Sequence, residues 1–292
     1  MWYFNNDIPT SYIPTLRSLI NSNNATASPH AFGEDFIYFN HNKLPTFDAA
    51  ANTRMARDFY IENGLKISKY FVPHFYEVSS EALPVIRAMG GEFIGIHMLP
   101  DHFYYSPTPW INCPPYRINR NGMSDARMPV YYGGYVELNG IDFFNCLTEI
   151  RDDGGYEWYP DNNVTTTVAR GIRHLRRSLN SMVLANLFTH EYFFASISTA
   201  NWREIVGQIT SAISGYDPEY TSMDYAATYI RAKTNIKITN VTSGPDDIEI
   251  SYEGNNDLNT RCYLFTEDNG QIDYRFVMLP QTNGSNSVTV AK

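Results

Sequence analysis

Along its first hundred residues the chain repeats one local pattern, in which a short β-favouring run is followed by a segment with apolar residues at helical spacing. Trp2, Tyr3 and Phe4 make the first strand candidate, and Ile13, Leu16, Leu19 and Ile20 then mark one face of a helix. A short strand leads into His30, and residues 48–63 are the next helix, with Ala50, Met55, Phe59 and Ile61 among its apolar positions and Gly64 as its stop. Residues 66–72 and 92–97 are further strands, separated by a helix over 79–89 that ends at Gly90 and Gly91. Strands linked by helices pair in parallel, because a parallel connection needs a long crossover that the helix supplies. The expected class is therefore α/β, with a parallel sheet or a barrel.

Parallel strands are covered on both faces and read as continuous apolar runs. Such a run occurs in Ser181-Met-Val-Leu-Ala-Asn-Leu-Phe-Thr-His190-Glu-Tyr-Phe-Phe194, where residues 182–189 predict a buried strand. His190 and Glu191 fall at its carboxyl end, the edge where α/β folds bind ligands and do chemistry. Ser198 then caps a helix with apolar positions at Trp202, Ile205, Val206, Ile209 and Ile213. Between these parts, residues 100–140 form a loop-rich insertion of Pro, Tyr, Asn and Gly, and residues 141–149 resume strand character. Residues 165–179 predict a helix whose Arg170, Arg173, Arg176 and Arg177 form an exposed basic face, and 217–231 a last short strand and helix.

From Ile236 the period changes to two. Ile236 and Ile238, then Ile248, Ile250 and Tyr252, then 262–265, 274–277 and 288–290 alternate, with turns expected at Gly244-Pro245, Gly254-Asn255 and Asn269-Gly270. This predicts a small antiparallel β-sandwich of about five strands. The expected domains are 1–233 and 234–292.

Composition narrows the partners. The net charge of −9, with no basic cluster beyond 173–177, argues against nucleic acid. Only 18% of residues are charged, against 22 Tyr and 17 Phe, a surface suited to stacking on sugar rings outside the cytoplasm. Cys113, Cys146 and Cys262 are odd in number and far apart, which excludes a disulfide framework and a CxxC metal knuckle. No run reaches membrane-spanning length. Met1-Trp-Tyr-Phe-Asn-Asn-Asp lacks the regions of a signal peptide, so an extracytoplasmic location would need an export signal upstream.

Proton-active groups gather at strand ends. His30 is followed closely by Glu34, Asp35 and His41, an imidazole and carboxylate density that suits a divalent metal; the alternative is a loop of solvated carboxylates. The strand at 66–72 ends in Pro73-His74-Phe75-Tyr76-Glu77, a second histidine and carboxylate. His190 reads either as a proton-transfer group or as a hydrogen-bonded core histidine. No GxGxxG, GxSxG, HExxH or P-loop occurs.

Taken in order, these motifs over about residues 1–232 resemble the NodB-homology polysaccharide deacetylases. His30 resembles the first histidine of that family's H-x-x-x-H metal motif, although Glu34 stands where the second histidine would be. Tyr70-Phe-Val-Pro-His-Phe-Tyr-Glu77 resembles the groove-wall motif F-R-P-P-Y-G, with Val72 in place of arginine and His74 in place of the second proline. Leu187-Phe-Thr-His190 resembles the closing L-x-H motif. The family's first motif, T-F-D-D, which supplies a catalytic base and a metal ligand, is expected upstream of Met1. Pro45-Thr46-Phe47-Asp48 imitates it with one aspartate, and under that register His97 and His102 would replace the metal pair.

The resemblance implies a distorted (β/α) barrel, incomplete at its N-terminus, that removes acetyl groups from amino sugars by metal-assisted hydrolysis. It implies a zinc-like divalent ion held by His30 and by Glu34 or His41, and His190 as the acid for the leaving amine, with Glu191 or a carboxylate of the 149–153 cluster orienting its ring. His74 and Phe75 would form the catalytic wall, with the Phe75 N–H facing the oxyanion. Leu187 would line the acetyl pocket, and Tyr76, Glu77, Tyr192 and Trp110 would contact a carbohydrate polymer. Without the upstream aspartate, residues 1–292 alone are expected to be weakly active or inactive. Two other classes fit the sequence: a non-catalytic carbohydrate-binding or adhesion protein on a degenerate barrel, and a glycoside hydrolase using paired carboxylates.

Overall fold

The computed structural model describes residues 2–4, 9–31, 49–72, 82–94, 132–138, 141–147, 158–180, 185–187, 189 and 191–292. They fall into two compact units, Met1–Ser222 and Met223–Lys292.

The first unit is mixed α/β. Strand β1 (Trp2–Phe4) pairs in parallel with β2 (Ser28–Ala31), and helix α1 (Ile13–Asn21) lies between them in sequence. Helix α2 (Ala49–Glu62) leads to β3 (Tyr70–Phe71), and α3 (Ala82–Ala88) to β4 (Phe93–Ile94). Strand β3 pairs in parallel with β4, and β4 with β6 (Ile141–Leu147). The helix-linked strands are therefore parallel, as their spacing predicts. The described strands form small sheets and do not close into a barrel. The end of the expected insertion is itself a strand, β5 (Tyr132–Leu138), which folds back antiparallel on β6. A turn of two residues suffices for an antiparallel neighbour, so no helix is needed there.

Packing selects faces that periodicity leaves open. In α1, Ile13, Leu16 and Ile20 are buried as expected. In α2 the buried residues are Thr53, Ala56 and Tyr60, while Met55 and Ile61 are 53% and 63% exposed. Tyr60 packs with Ile13, Leu16, Ile20 and Leu65, and that contact turns the helix away from its most apolar stripe. Gly64 ends the helix at φ +61°, a left-handed conformation that glycine adopts without steric cost.

Helices α4 (Val164–Asn180) and α6 (Thr199–Ile213) pack as a pair. Trp158, Val168, Leu175, Ile197, Ile205, Ile209 and Ile213 form their shared core, with Ile205 wholly buried. Val206, one residue off that stripe, is 53% exposed. The Asn163 carboxamide accepts from the Thr166 N–H at one helix start, and the Ser198 hydroxyl from the Asn201 N–H at the other. Arg173 and Arg176 are exposed, as the basic face predicts, and the Arg176 guanidinium donates to the Ala212 carbonyl in the last turn of α6.

The second unit begins with α7 (Met223–Thr234), earlier than the expected boundary at 234. Two contacts tie this helix to the sheets. The Arg261 backbone N–H donates to the Tyr229 hydroxyl, and Arg231 forms an ion pair with Asp257 at 2.8 Å. Five antiparallel strands follow: β7 (Ile236–Ser243), β8 (Asp247–Asn256), β9 (Thr260–Asp268), β10 (Gln271–Leu279) and β11 (Thr282–Ala291). They form one sheet of order β11-β8-β7 and a second of β10-β9. Ile248, Ile250, Tyr252, Val277 and Leu279, from both sheets, make one shared core. Asn269 and Gly270, both at positive φ, make the β9–β10 hairpin turn where expected. Gly254-Asn255 does not turn: it lies inside β8, where Gly254 faces Ile236 of β7 and a side chain would meet the Asn235 carbonyl.

Candidate functional site

Among the residues singled out from the sequence, His30 is the one whose surroundings are best defined. Tyr3 pairs with Pro29 but Phe4 pairs with Ala31, so the register slips by one and His30 is the extra residue in β2. Such a bulge bends a strand locally and re-aims the side chain that it carries. The half-buried ring reaches across to the neighbouring strand, where Nδ1 lies 2.7 Å from the backbone carbonyl of Val72, 42 residues away. The Ser68 N–H also donates to the Ala27 carbonyl at 2.8 Å. With 27 beside 68 and 30 beside 72, β2 and β3 run in the same direction. The carboxyl end of β2 therefore adjoins that of β3, and those of β4 and β6 follow in the same sense.

This contact fixes the chemistry of the ring. A carbonyl can only accept, so Nδ1 carries the hydrogen, and the neutral imidazole has its lone pair on Nε2. Metal-binding histidines have this arrangement, in which one ring nitrogen is held by a backbone carbonyl and the other faces the ion. The donor type at His30 therefore fits a zinc-like ion. Two residues earlier, the buried Ser28 hydroxyl has no hydrogen-bond partner among the described residues, polar capacity that nothing in the sequence signals. No group of three or more His, Cys, Asp or Glu side chains able to hold a metal occurs among the described residues.

Glu34, His41, His74, Phe75, Tyr76, Glu77, Trp110 and His190 lie outside the described residues. The structure thus places His30 against Val72, the residue that immediately precedes Pro73 and His74 in sequence, and does not relate it to His190.

In the segment leading to His190, the described residues are not in the expected strand. Ala185, Asn186, Leu187 and Thr189 are in irregular backbone and half-buried, and residues 181–184, 188 and 190 lie outside the described residues. Ala185 and Leu187 pack against the α4–α6 core, so these two apolar side chains are covered by helices. Glu191 and Tyr192 open the short helix α5 (Glu191–Ala195). Around it the Phe194 ring stacks on Trp202 at 4.7 Å, Trp202 meets Trp158 edge-on at 5.7 Å, and Tyr159 meets Phe193 at 5.5 Å. The Thr189 hydroxyl and the Trp202 indole N–H are buried without a hydrogen-bond partner among the described residues. In the sequence Trp202 reads only as an apolar helix position, and its unspent donor emerges from the packing. The Asn162 side chain fastens this corner, donating to the Ser196 carbonyl at 2.6 Å and accepting from the Asn201 carboxamide at 3.0 Å.

Compared with models of known families, the chain matches none, and no curated protein matches it. No described helix is long and apolar enough to cross a membrane.

Proposed function

We propose that the first unit is a divergent polysaccharide deacetylase domain, part of a (β/α) barrel, that hydrolyses the acetamide of an N-acetylated glycan. The observation that carries this reading is the His30 contact. Its Nδ1 is bonded to the Val72 carbonyl, so the histidine of the resembled metal motif meets the strand that leads into the resembled groove wall. One described residue of each of two motifs chosen separately in the sequence, His30 and Val72, is in contact with the other. The parallel strands and the bulge that directs the ring support the same reading.

His30, with Glu34 or His41, would hold the ion, and the Val72 carbonyl keeps the His30 ring in the tautomer that presents Nε2. A bound zinc-like ion acidifies water toward neutral pH and polarises the amide carbonyl, supplying several kcal/mol. The backbone N–H near Phe75 would meet the developing oxyanion, a contribution of about 3 kcal/mol. His190 would protonate the leaving amine, work suited to an imidazole, and Glu191 would orient it.

The test is acetate release from N-acetylated chito-oligosaccharides by the full-length protein with added Zn²⁺. His190→Ala should abolish release with the fold intact, and His30→Ala should weaken Zn²⁺ binding at least tenfold in calorimetry. Full activity in His190→Ala, or unchanged Zn²⁺ binding in His30→Ala, refutes the assignment. A non-catalytic carbohydrate-binding reading is favoured by one observation, the aromatic outer face of the β9–β10 sheet in the second unit.

A further inference from the structure

Strand β9 is apolar on both faces. Cys262 and Leu264 point to the sandwich core, which leaves Tyr263 and Phe265 on the outside. The register pairs Phe276 with Tyr263 and Tyr274 with Phe265, so four aromatic rings occupy adjacent positions on the solvent face. They are 39% to 60% exposed, and Ile272 and Met278 extend the face at 74% and 47%. An outward sheet face is ordinarily polar, and a contiguous apolar one marks an interaction surface. The rings hold one another: Tyr263 lies 4.5 Å from Phe276 and 6.0 Å from Phe265, and Phe265 lies 6.2 Å from Tyr274. Such mutual support lowers the entropy lost when a ligand settles on them.

Size and charge select the occupant. From Arg261 to Glu267 the face is about 20 Å long, and two strands make it about 10 Å wide, or roughly 200 Å² in outline. A stable protein partner needs about 800 Å² on each side, so the face suits a narrow linear ligand better than a second copy of this chain. One guanidinium, Arg261 over the Phe276 ring at 5.9 Å, and one carboxylate, Glu267, bound to its own turn through the Gly270 N–H, stand at its ends. The face is thus close to neutral within a chain of net charge −9, which disfavours polyanions and polycations alike. The C–H face of a pyranose ring is apolar and slightly positive, and it complements the negative face of an aromatic ring, while tyrosine hydroxyls reach the sugar's rim.

We infer that the outer face of β9 and β10 binds a neutral polysaccharide chain, with Tyr263, Phe265, Tyr274 and Phe276 as its stacking platform. The choice of an acetylated glycan as one probe rests on the deacetylase reading, whereas the platform does not. The full chain is mixed with insoluble chitin and with cellulose, in the presence of EDTA, and the retained fraction is measured against polymer concentration. Retention on at least one polymer is expected, with apparent affinity lowered at least tenfold in the Phe265→Ala/Tyr274→Ala double variant and unchanged in the exposed-surface control Val206→Ala. These side chains are exposed, so the double variant should lose only their cross-strand pairing and keep a cooperative melt lowered by no more than about 8 °C. No retention on either polymer, or equal retention of the double variant, overturns the proposal. So does a dimer in sedimentation that the double variant abolishes, which gives the face to a second copy. Retention without acetate release removes the catalytic reading and leaves this one, and acetate release with retention insensitive to the double variant does the reverse.

Discussion

Replacing Gly254 with alanine tests how the two edges of the three-stranded sheet are fitted together. At Gly254 the backbone has φ +155°, and an added Cβ would lie 2.0 Å from the Asn235 carbonyl oxygen, a backbone atom that cannot rotate aside. Real Cβ contacts essentially never fall below 3.0 Å, so strand β7 must retreat by about 1 Å. That movement strains the Asn255 N–H to Asn235 carbonyl bond, 3.2 Å in the native chain, whose loss costs about 1 kcal/mol. Holding a side-chain-bearing residue at this φ costs a further ~1–3 kcal/mol. A total of about 3 kcal/mol is a large share of the roughly 4–10 kcal/mol expected for a unit of this size. It should lower the melting temperature of the second unit by about 12–24 °C. Cys262, half-buried between the two sheets, supplies the readout: its alkylation, followed by peptide mapping against temperature, reports opening of this unit. Tryptophan fluorescence reports only the first unit, because Trp2, Trp110, Trp158 and Trp202 all precede Met223. The expected result is an early Cys262 transition with an unchanged fluorescence transition. A Cys262 midpoint within about 2 °C of the parent would refute the steric argument.

Ile205→Ala should destabilise the first unit by about 2–5 kcal/mol, because a wholly buried side chain leaves a cavity between α4 and α6. Val206→Ala, next to it but exposed, should change stability by less than about 0.5 kcal/mol; urea melts followed by tryptophan fluorescence compare the two. Ser198→Ala removes the acceptor for the Asn201 N–H and should cost about 1 kcal/mol in the same assay. Burial raises the Tyr252 hydroxyl, the Tyr229 hydroxyl and the Cys262 thiol above their ordinary pKa values. The folded state therefore holds these protons more tightly, and their contribution is complete below about pH 8.5, the ordinary thiol value, and is lost as pH rises through the raised values. The urea midpoint of the second unit should fall between pH 9 and about 10.5, and a rise over that interval contradicts the burial argument.

The kinds of element and their order are legible in the amino-acid sequence, because periodicity is a property of neighbours along the chain. The helices of α1, α4 and α6, the parallel strands around α2 and α3, and the five C-terminal strands with their Asn269-Gly270 turn are all of this sort. Which side of an element is covered is decided by partners remote in sequence. Tyr60 turned α2 so that Met55 and Ile61 face out, and the core residues of β8 and β10 chose Cys262 and Leu264 over Tyr263 and Phe265. Ala185 and Leu187, in the run before His190, found their cover on a helix pair. Gly254, which reads locally as a turn, serves the close passage of another strand. At the candidate site, His30 and the run from Tyr70 to Glu77 could each be chosen by residue type, but their meeting through the Val72 carbonyl depends on β2 and β3 lying side by side. Periodicity along the chain carries no record of that distance, and only the packed strands supply it.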